Sequence, residues 1–302
     1  MRYYADLLKL RCFHRSDVTR LTGSPTAANQ LLTQYRRRGY IDQVRRDLWT
    51  VLGLVDRQPV ASRYQIGSAI TPDACVSHHS AFEFHGFANQ VSYEMCVTSP
   101  TRFTPFEYDG VTYRWLAPRL TIGLEAHSPG VSVTDLERTV LDAINDLTKV
   151  GGLEELLTSL DALPYLDPVR LISYLTAYGK QVLYQKTGYL LAQFNQTLRL
   201  PESFFAECAA RVGRSVRYLD PGLPADEGVY ANVWQLVVPR RLTTTADLTG
   251  VVPSPDDLPA QSEEGRLRDF EQLAARASRH IPPGTPPLTD ADSFYQQRAA
   301  RL

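Results

Sequence analysis

The chain has 302 residues, 43% hydrophobic and 22% charged, with a net charge of −1. This is an ordinary globular composition with room for about two domains. No apolar run approaches the roughly 20 residues that a membrane-spanning helix needs, so no membrane association is expected. The near-neutral total hides a split: residues 1–57 carry eleven Lys and Arg against five Asp, a net of +6, which leaves −7 for residues 58–302. A basic end joined to an acidic remainder points to a nucleic-acid-binding module attached to something else. The opening MRYYADLLKLRCFHRSD has charges throughout, so no secretion signal is expected. Cys12, Cys75, Cys96 and Cys208 lack any paired spacing and read as reduced thiols of a cytoplasmic protein.

Residues 3–11 have Leu7, Leu8 and Leu10 among polar spacers and predict a first helix. Ser16 precedes a short second helix at 17–21, which Thr22-Gly23 ends. Ser24-Pro25 then opens a third: serine supplies an N-cap oxygen and proline suits the first helical position. Leu31, Leu32 and Tyr35 form its buried stripe and Gly39 ends it. Two short strands, Tyr40-Ile41 and residues 48–51, flank a basic tip at residues 42–47. Helix, helix-turn-helix and a two-stranded wing give the order of a winged helix-turn-helix.

Residues 54–70 predict a linker running into a helix, 72–88 a helical stretch with Ser77, His78, His79 and His85, and 91–98 a strand. Residues 106–115 predict a hairpin turning at Asp109-Gly110. After a strand at 131–133, Thr134-Asp135-Leu136-Glu137 predicts a capping box, with Thr134 as the cap and Glu137 reaching back, opening a helix through Ile144. Gly151-Gly152 breaks the chain before an amphipathic 153–160. Residues 168–198 predict two more helices and 229–238 a strand. Pro253, Pro255 and Pro259 on one side, and Pro282, Pro283, Pro286 and Pro287 on the other, bracket one helical segment at 263–279. The expected organisation is α+β: a winged helix-turn-helix at 1–57, a larger mixed α/β domain at 58–246, and a proline-rich tail at 247–302.

A recognition helix enters the major groove by its N-terminal turns. Ser24, Thr26, Ala27, Asn29, Gln30 and Thr33 lie on or near that end of the third helix. Asn and Gln pair bidentately with adenine, and an alanine methyl meets the thymine methyl. Arg36, Arg37 and Arg38 further along, and Arg45 and Arg46 at the wing tip, are the expected phosphate contacts. Cys75, His78, His79 and His85 have partial metal spacing but lack a fourth ligand, so no metal is expected. Asp135 and Glu137, two apart on a helix, are expected on different faces and do not form a nuclease pair. There is no Gly-rich phosphate loop and no G-x-S-x-G, so neither catalytic residues nor a cofactor are expected.

Four segments in this order resemble the AbiEi-type antitoxins, transcriptional regulators of AbiE toxin–antitoxin systems. They are the helix-turn-helix ending in RRRGYIDQVRRDLWTV, VSHHSAFEFHGF at 76–87, VTDLERTVLDAI at 133–144 with GGLEELL at 151–157, and QKTGYLLAQF at 185–194. The wing tip is Arg45-Arg46-Asp47, where such proteins commonly carry a glycine. The resemblance implies a repressor that binds inverted repeats at its own promoter. It also implies a larger domain linked, directly or indirectly, to neutralising a nucleotidyltransferase-like toxin. The alternatives are a DNA-processing enzyme delivered by its winged helix, and a stand-alone transcriptional regulator.

Overall fold

The computed structural model describes residues 2–127 and 129–242, all within one compact unit, Met1–Pro253. The tail expected at 247–302, with its helix at 263–279, lies outside the described residues.

Tyr4–Leu10 forms α1, burying Tyr4 and Leu7. Cys12–His14 is β1, a strand absent from the sequence reading. Arg15–Thr22 is α2, ended by Gly23 at φ 76, a left-handed conformation that glycine adopts without strain. Pro25–Arg37 is α3, with Pro25 at the expected first position. Ser24 stands extended before α3, but its side chain makes no capping hydrogen bond. Ile41–Arg45 (β2) and Leu48–Val51 (β3) complete an antiparallel sheet in the order β1-β3-β2. Phe13, Val18, Ala28, Leu32, Tyr35 and Ile41 close a small core of their own.

Arg63–Ala69 is α4. Residues 72–88 are not one helix: Cys75–Val76 is β4, and only His78–His85 is helical, as α5. Glu94–Thr98 is β5, Phe106–Tyr108 β6 and Val111–Leu116 β7. The β6–β7 turn falls on Asp109 and Gly110, at φ 50 and 72, the doubly positive pair that a two-residue hairpin requires. Leu124–His127 is β8 and Val131–Thr134 β9. These six strands form a mixed sheet in the order β6-β7-β5-β4-β9-β8. Gly67 lets α4 lie close on it, against Met95, Val97 and Val76.

Leu136–Asn145 is α6. Its cap is Asp135, which accepts from the Arg138 amide at 2.8 Å; Thr134 is held in β9, opposite Leu124, so the helix starts one residue later than the capping-box reading placed it. Glu137 does not reach back either: its carboxylate accepts from the Asp167 amide at 2.7 Å. Leu153–Asp161 (α7), Pro168–Tyr178 (α8), Gln181–Gln193 (α9), the short Asn195–Leu198 (α10) and Glu202–Ala210 (α11) enclose the largest core with α6. Arg217–Tyr218 (β10), Gly228–Ala231 (β11) and Leu236–Pro239 (β12) make a last sheet in the order β10-β12-β11. The single strand expected at 229–238 is therefore a hairpin. The fold is α+β, and no helix among the described residues is long and apolar enough to cross a membrane.

The basic module packs against the rest through its sheet. Val44 and Leu48 bury in the core of the six-stranded sheet rather than in the module's own. His14 links both parts: Nδ1 lies 2.9 Å from the Asp47 carbonyl, and Nε2 lies 2.9 Å from the Ala69 carbonyl at the end of α4. The Tyr108 hydroxyl donates to Asp42 across the same boundary.

Candidate nucleic-acid interface

Helix α3 buries one stripe and shows another. Ala28, Leu32 and Tyr35 recur at helical spacing and face inward, while Thr26, Asn29, Gln30, Thr33, Arg36, Arg37 and Arg38 are exposed. Ala27 and Ser24 are half-buried. Asn29, Gln30, Thr33, Gln34, Arg37 and Arg38 together line a shallow hollow of about 440 Å³. Gln34 was missing from the sequence reading; it lies one turn past Gln30, and strict helical periodicity would have found it. The Thr33 hydroxyl donates to the Asn29 carbonyl at 2.9 Å, which leaves its oxygen lone pairs facing outward as acceptors.

The arginines divide by partner. Arg20 pairs with Asp17 at 2.7 Å, and Arg15 lies 3.6 Å from Asp47. Arg36, Arg37, Arg38 and Arg46 pair with no carboxylate among the described residues. Arg36 is held nonetheless: it donates to the Gln43 side chain at 3.2 Å and sits 5.9 Å from the Trp49 ring centre, so strands β2 and β3 fix its direction. Four arginines without a carboxylate partner thus cluster on the exposed end of α3 and at the β2–β3 turn.

Arg45 departs from its expected place at a free wing tip. It closes β2, with its guanidinium 5.1 Å from the Phe106 ring centre and 5.5 Å from that of Phe103, and burial pulls its pKa down from the ordinary value. The register shifts between Gln43 and Arg45; strict alternation would have put Arg45 on the face of Ile41 and Gln43, and the bulge lets it follow Val44 toward Phe103 and Phe106 instead. Arg46 and Asp47 form the turn; Asp47 takes φ 64, the conformation for which a glycine is the usual choice.

The remaining candidates have structural partners. His78 meets the Ser77 hydroxyl at 2.9 Å, His79 lies 3.4 Å from Glu155, and His85 lies 2.8 Å from the Thr134 carbonyl. The Cys75 thiol donates to a backbone carbonyl, and burial pushes it up to about 12, as it does Cys12, Cys96 and Cys208. Asp135 and Glu137 do not diverge: both lie within reach of Arg170, at 3.5 and 3.8 Å. Beneath them, fully buried Arg138 pairs with Asp142 at 2.8 Å and donates to the Ile122 carbonyl, while the Tyr178 hydroxyl donates to Asp142.

No protein-family model matches the chain, and no curated protein matches it. Among solved structures it is similar to the crystal structure of RV2827C protein from Mycobacterium tuberculosis. The identity is 17%, the TM-score is 0.54, and the match covers 78% of this chain and 90% of that one. The likeness is one of fold: a mixed α/β architecture over most of both chains.

Proposed function

We propose that this chain is a DNA-binding autoregulatory repressor and antitoxin, with residues 1–57 as a winged helix-turn-helix. The observation that carries the DNA reading is the unpaired charge of Arg36, Arg37, Arg38 and Arg46, on the exposed end of α3 and the adjoining turn. Structural arginines find carboxylates, as Arg138 does; arginines held outward without one suit phosphates. The element order α1-β1-α2-α3-β2-β3 supports the winged-helix reading. The hollow at Asn29, Gln30 and Gln34 supplies amide side chains for base edges beside the arginines. Arg45 drops out of the contact set, because it is engaged with Phe103 and Phe106.

The test is binding to the DNA upstream of the chain's own reading frame across a salt series. Arg37→Ala with Arg38→Ala is expected to weaken binding to all sequences and to lower the salt slope by about 2. Asn29→Ala and Gln30→Ala are expected to relax sequence preference, by about 1–3 kcal/mol for each base pair read. An unchanged slope in the double arginine variant would remove the DNA reading.

The antitoxin half rests on the AbiEi resemblance of the segments at 76–87, 133–144, 151–157 and 185–194. It predicts a nucleotidyltransferase-like neighbouring gene whose toxicity on expression is relieved by this chain. A neighbour of that kind whose toxicity is not relieved would leave a regulator without antitoxin activity.

A further inference from the structure

Strand β2 lies along β6 in a fixed sense. At one end Asp42 accepts from the Tyr108 hydroxyl; at the other the Arg45 guanidinium stands 5.1 Å from the Phe106 ring centre and 5.5 Å from that of Phe103. The β2–β3 turn follows Arg45, so Arg46 lies at the end of the six-stranded sheet where residues 99–105 lead into β6. Val44, Leu48 and Phe103 share one core, which holds turn and loop together as one body.

The loop is built to keep its shape. Asp73 accepts from the hydroxyls of Thr71, Ser99 and Thr101, at 2.8, 2.9 and 3.2 Å. The Trp115 ring N–H donates to the Ser99 carbonyl at 2.8 Å, and the Ser99 amide donates to the Leu116 carbonyl. Pro100 and Pro105 restrict the backbone on either side of the loop's one charged residue, Arg102. Arg102 is exposed, and its guanidinium stacks 5.4 Å from the Trp115 ring centre, which leaves its N–H edge open to a ligand. Arg119, three residues past the end of β7 and at the same end of the sheet, is exposed as well. Neither arginine has a carboxylate partner among the described residues.

The neighbouring carboxylates do not cancel this charge. Asp47 is taken by Arg15, 3.6 Å away. Glu107 alternates to the face of β6 opposite Phe106 and Tyr108, and Asp42 and Asp109 lie toward the far end of that strand. Asp73, held by the loop hydroxyls, is one charge against Arg46, Arg102 and Arg119. We propose that Arg102 and Arg119 carry the DNA contact past the β2–β3 turn and grip phosphates of the flanking duplex. The inference rests on the DNA-binding reading and adds to it a surface of the larger domain, one that lengthens the bound backbone without reading sequence.

The test uses the full chain and its upstream DNA, trimmed stepwise from each end of the stretch that the chain protects from hydroxyl radicals. The unaltered chain is expected to protect flanking phosphates beyond the turn and to lose affinity when they are trimmed away. Arg102→Gln with Arg119→Gln is expected to lose that protection and to lower the salt slope on the untrimmed duplex by about 2, with sequence preference and unfolding midpoint unchanged. If that variant fails to fold, Thr104→Glu, at an exposed position, adds a negative charge to the same loop and is expected to weaken binding to the untrimmed duplex alone. An unchanged slope and footprint in the double glutamine variant, or an equal loss on trimmed and untrimmed duplexes, overturns the extension when Arg37→Ala with Arg38→Ala still lowers the slope. An unchanged slope in both double variants removes the DNA reading itself, and this inference with it.

Discussion

Arg37 and Arg38 on α3, and Arg138 on α6, are the same side chain in opposite settings. The α3 pair is exposed and without carboxylate partners, whereas Arg138 is 1% exposed and saturated by Asp142 and the Ile122 carbonyl. A guanidinium in water costs the fold almost nothing and remains available to a ligand. A buried one is tolerated only with its partners in place, and the fold then depends on those partners. Positive charge in the first region is left open to solvent, and in the second it is part of the frame. The two regions should therefore respond oppositely to substitution.

The largest expected effect is Asp142→Ala. It leaves Arg138 buried without its counterion, and urea unfolding should show a loss of about 3–5 kcal/mol. A loss below about 1 kcal/mol would mean that the α6 pair is not part of the frame.

Lys186 on α9 comes next. Burial is the main cause that pulls its amine from 10.5 down to about 8, against the opposing charges of Asp220 and Asp146. Between pH 8 and 10.5 the unfolded chain holds a proton that the folded chain has released, so stability should rise with pH across that window, by at most about 3 kcal/mol. Lys186→Met should flatten that slope and stabilise the chain at pH 7. A slope indifferent to the substitution would mean that Lys186 is as solvated as the arginines of α3.

The third test lies on the boundary. His14→Ala removes a ring whose two nitrogens lie 2.9 Å from the Asp47 and Ala69 carbonyls, of which a neutral imidazole donates to one at a time, and should cost about 1 kcal/mol. Hydrogen exchange should show the loosening at the β2–β3 turn and the end of α4 together. If only one side loosens, the two parts are not coupled through this residue. The smallest effect is the most diagnostic of the comparison: Arg37→Ala with Arg38→Ala should leave stability within about 0.5 kcal/mol while weakening DNA binding. A clear loss of stability would place these arginines in the frame as well.

Local signals carried far into the structure where neighbouring residues suffice to decide a conformation. Pro25 begins α3, Asp109-Gly110 turns the β6–β7 hairpin, and the stripe through Leu32 and Tyr35 decides which face of α3 is exposed. The same logic failed where an element is too short to show a period. The two- and three-residue strands β1, β4 and β10 exist because distant partners pair with them, and no alternation can mark so few residues. Helix α11 was also missed, although Pro201 stands before it and Gly213 shortly after it.

From the sequence alone come the α+β class, the two consecutive helices α2 and α3 followed by a pair of strands, and the cluster of positive charge at the end of α3. All three follow from residue order within a turn or two of chain. The tertiary structure decided which charges remain free. Arg45 looked equivalent to Arg46 until a bulge and two phenylalanines some 60 residues away turned it inward. Asp135 and Glu137 looked divergent until α8 brought Arg170 to both. Whether a charge binds a ligand or holds the fold depends on its solvent exposure and its counterions, and those are set by segments far apart in the chain.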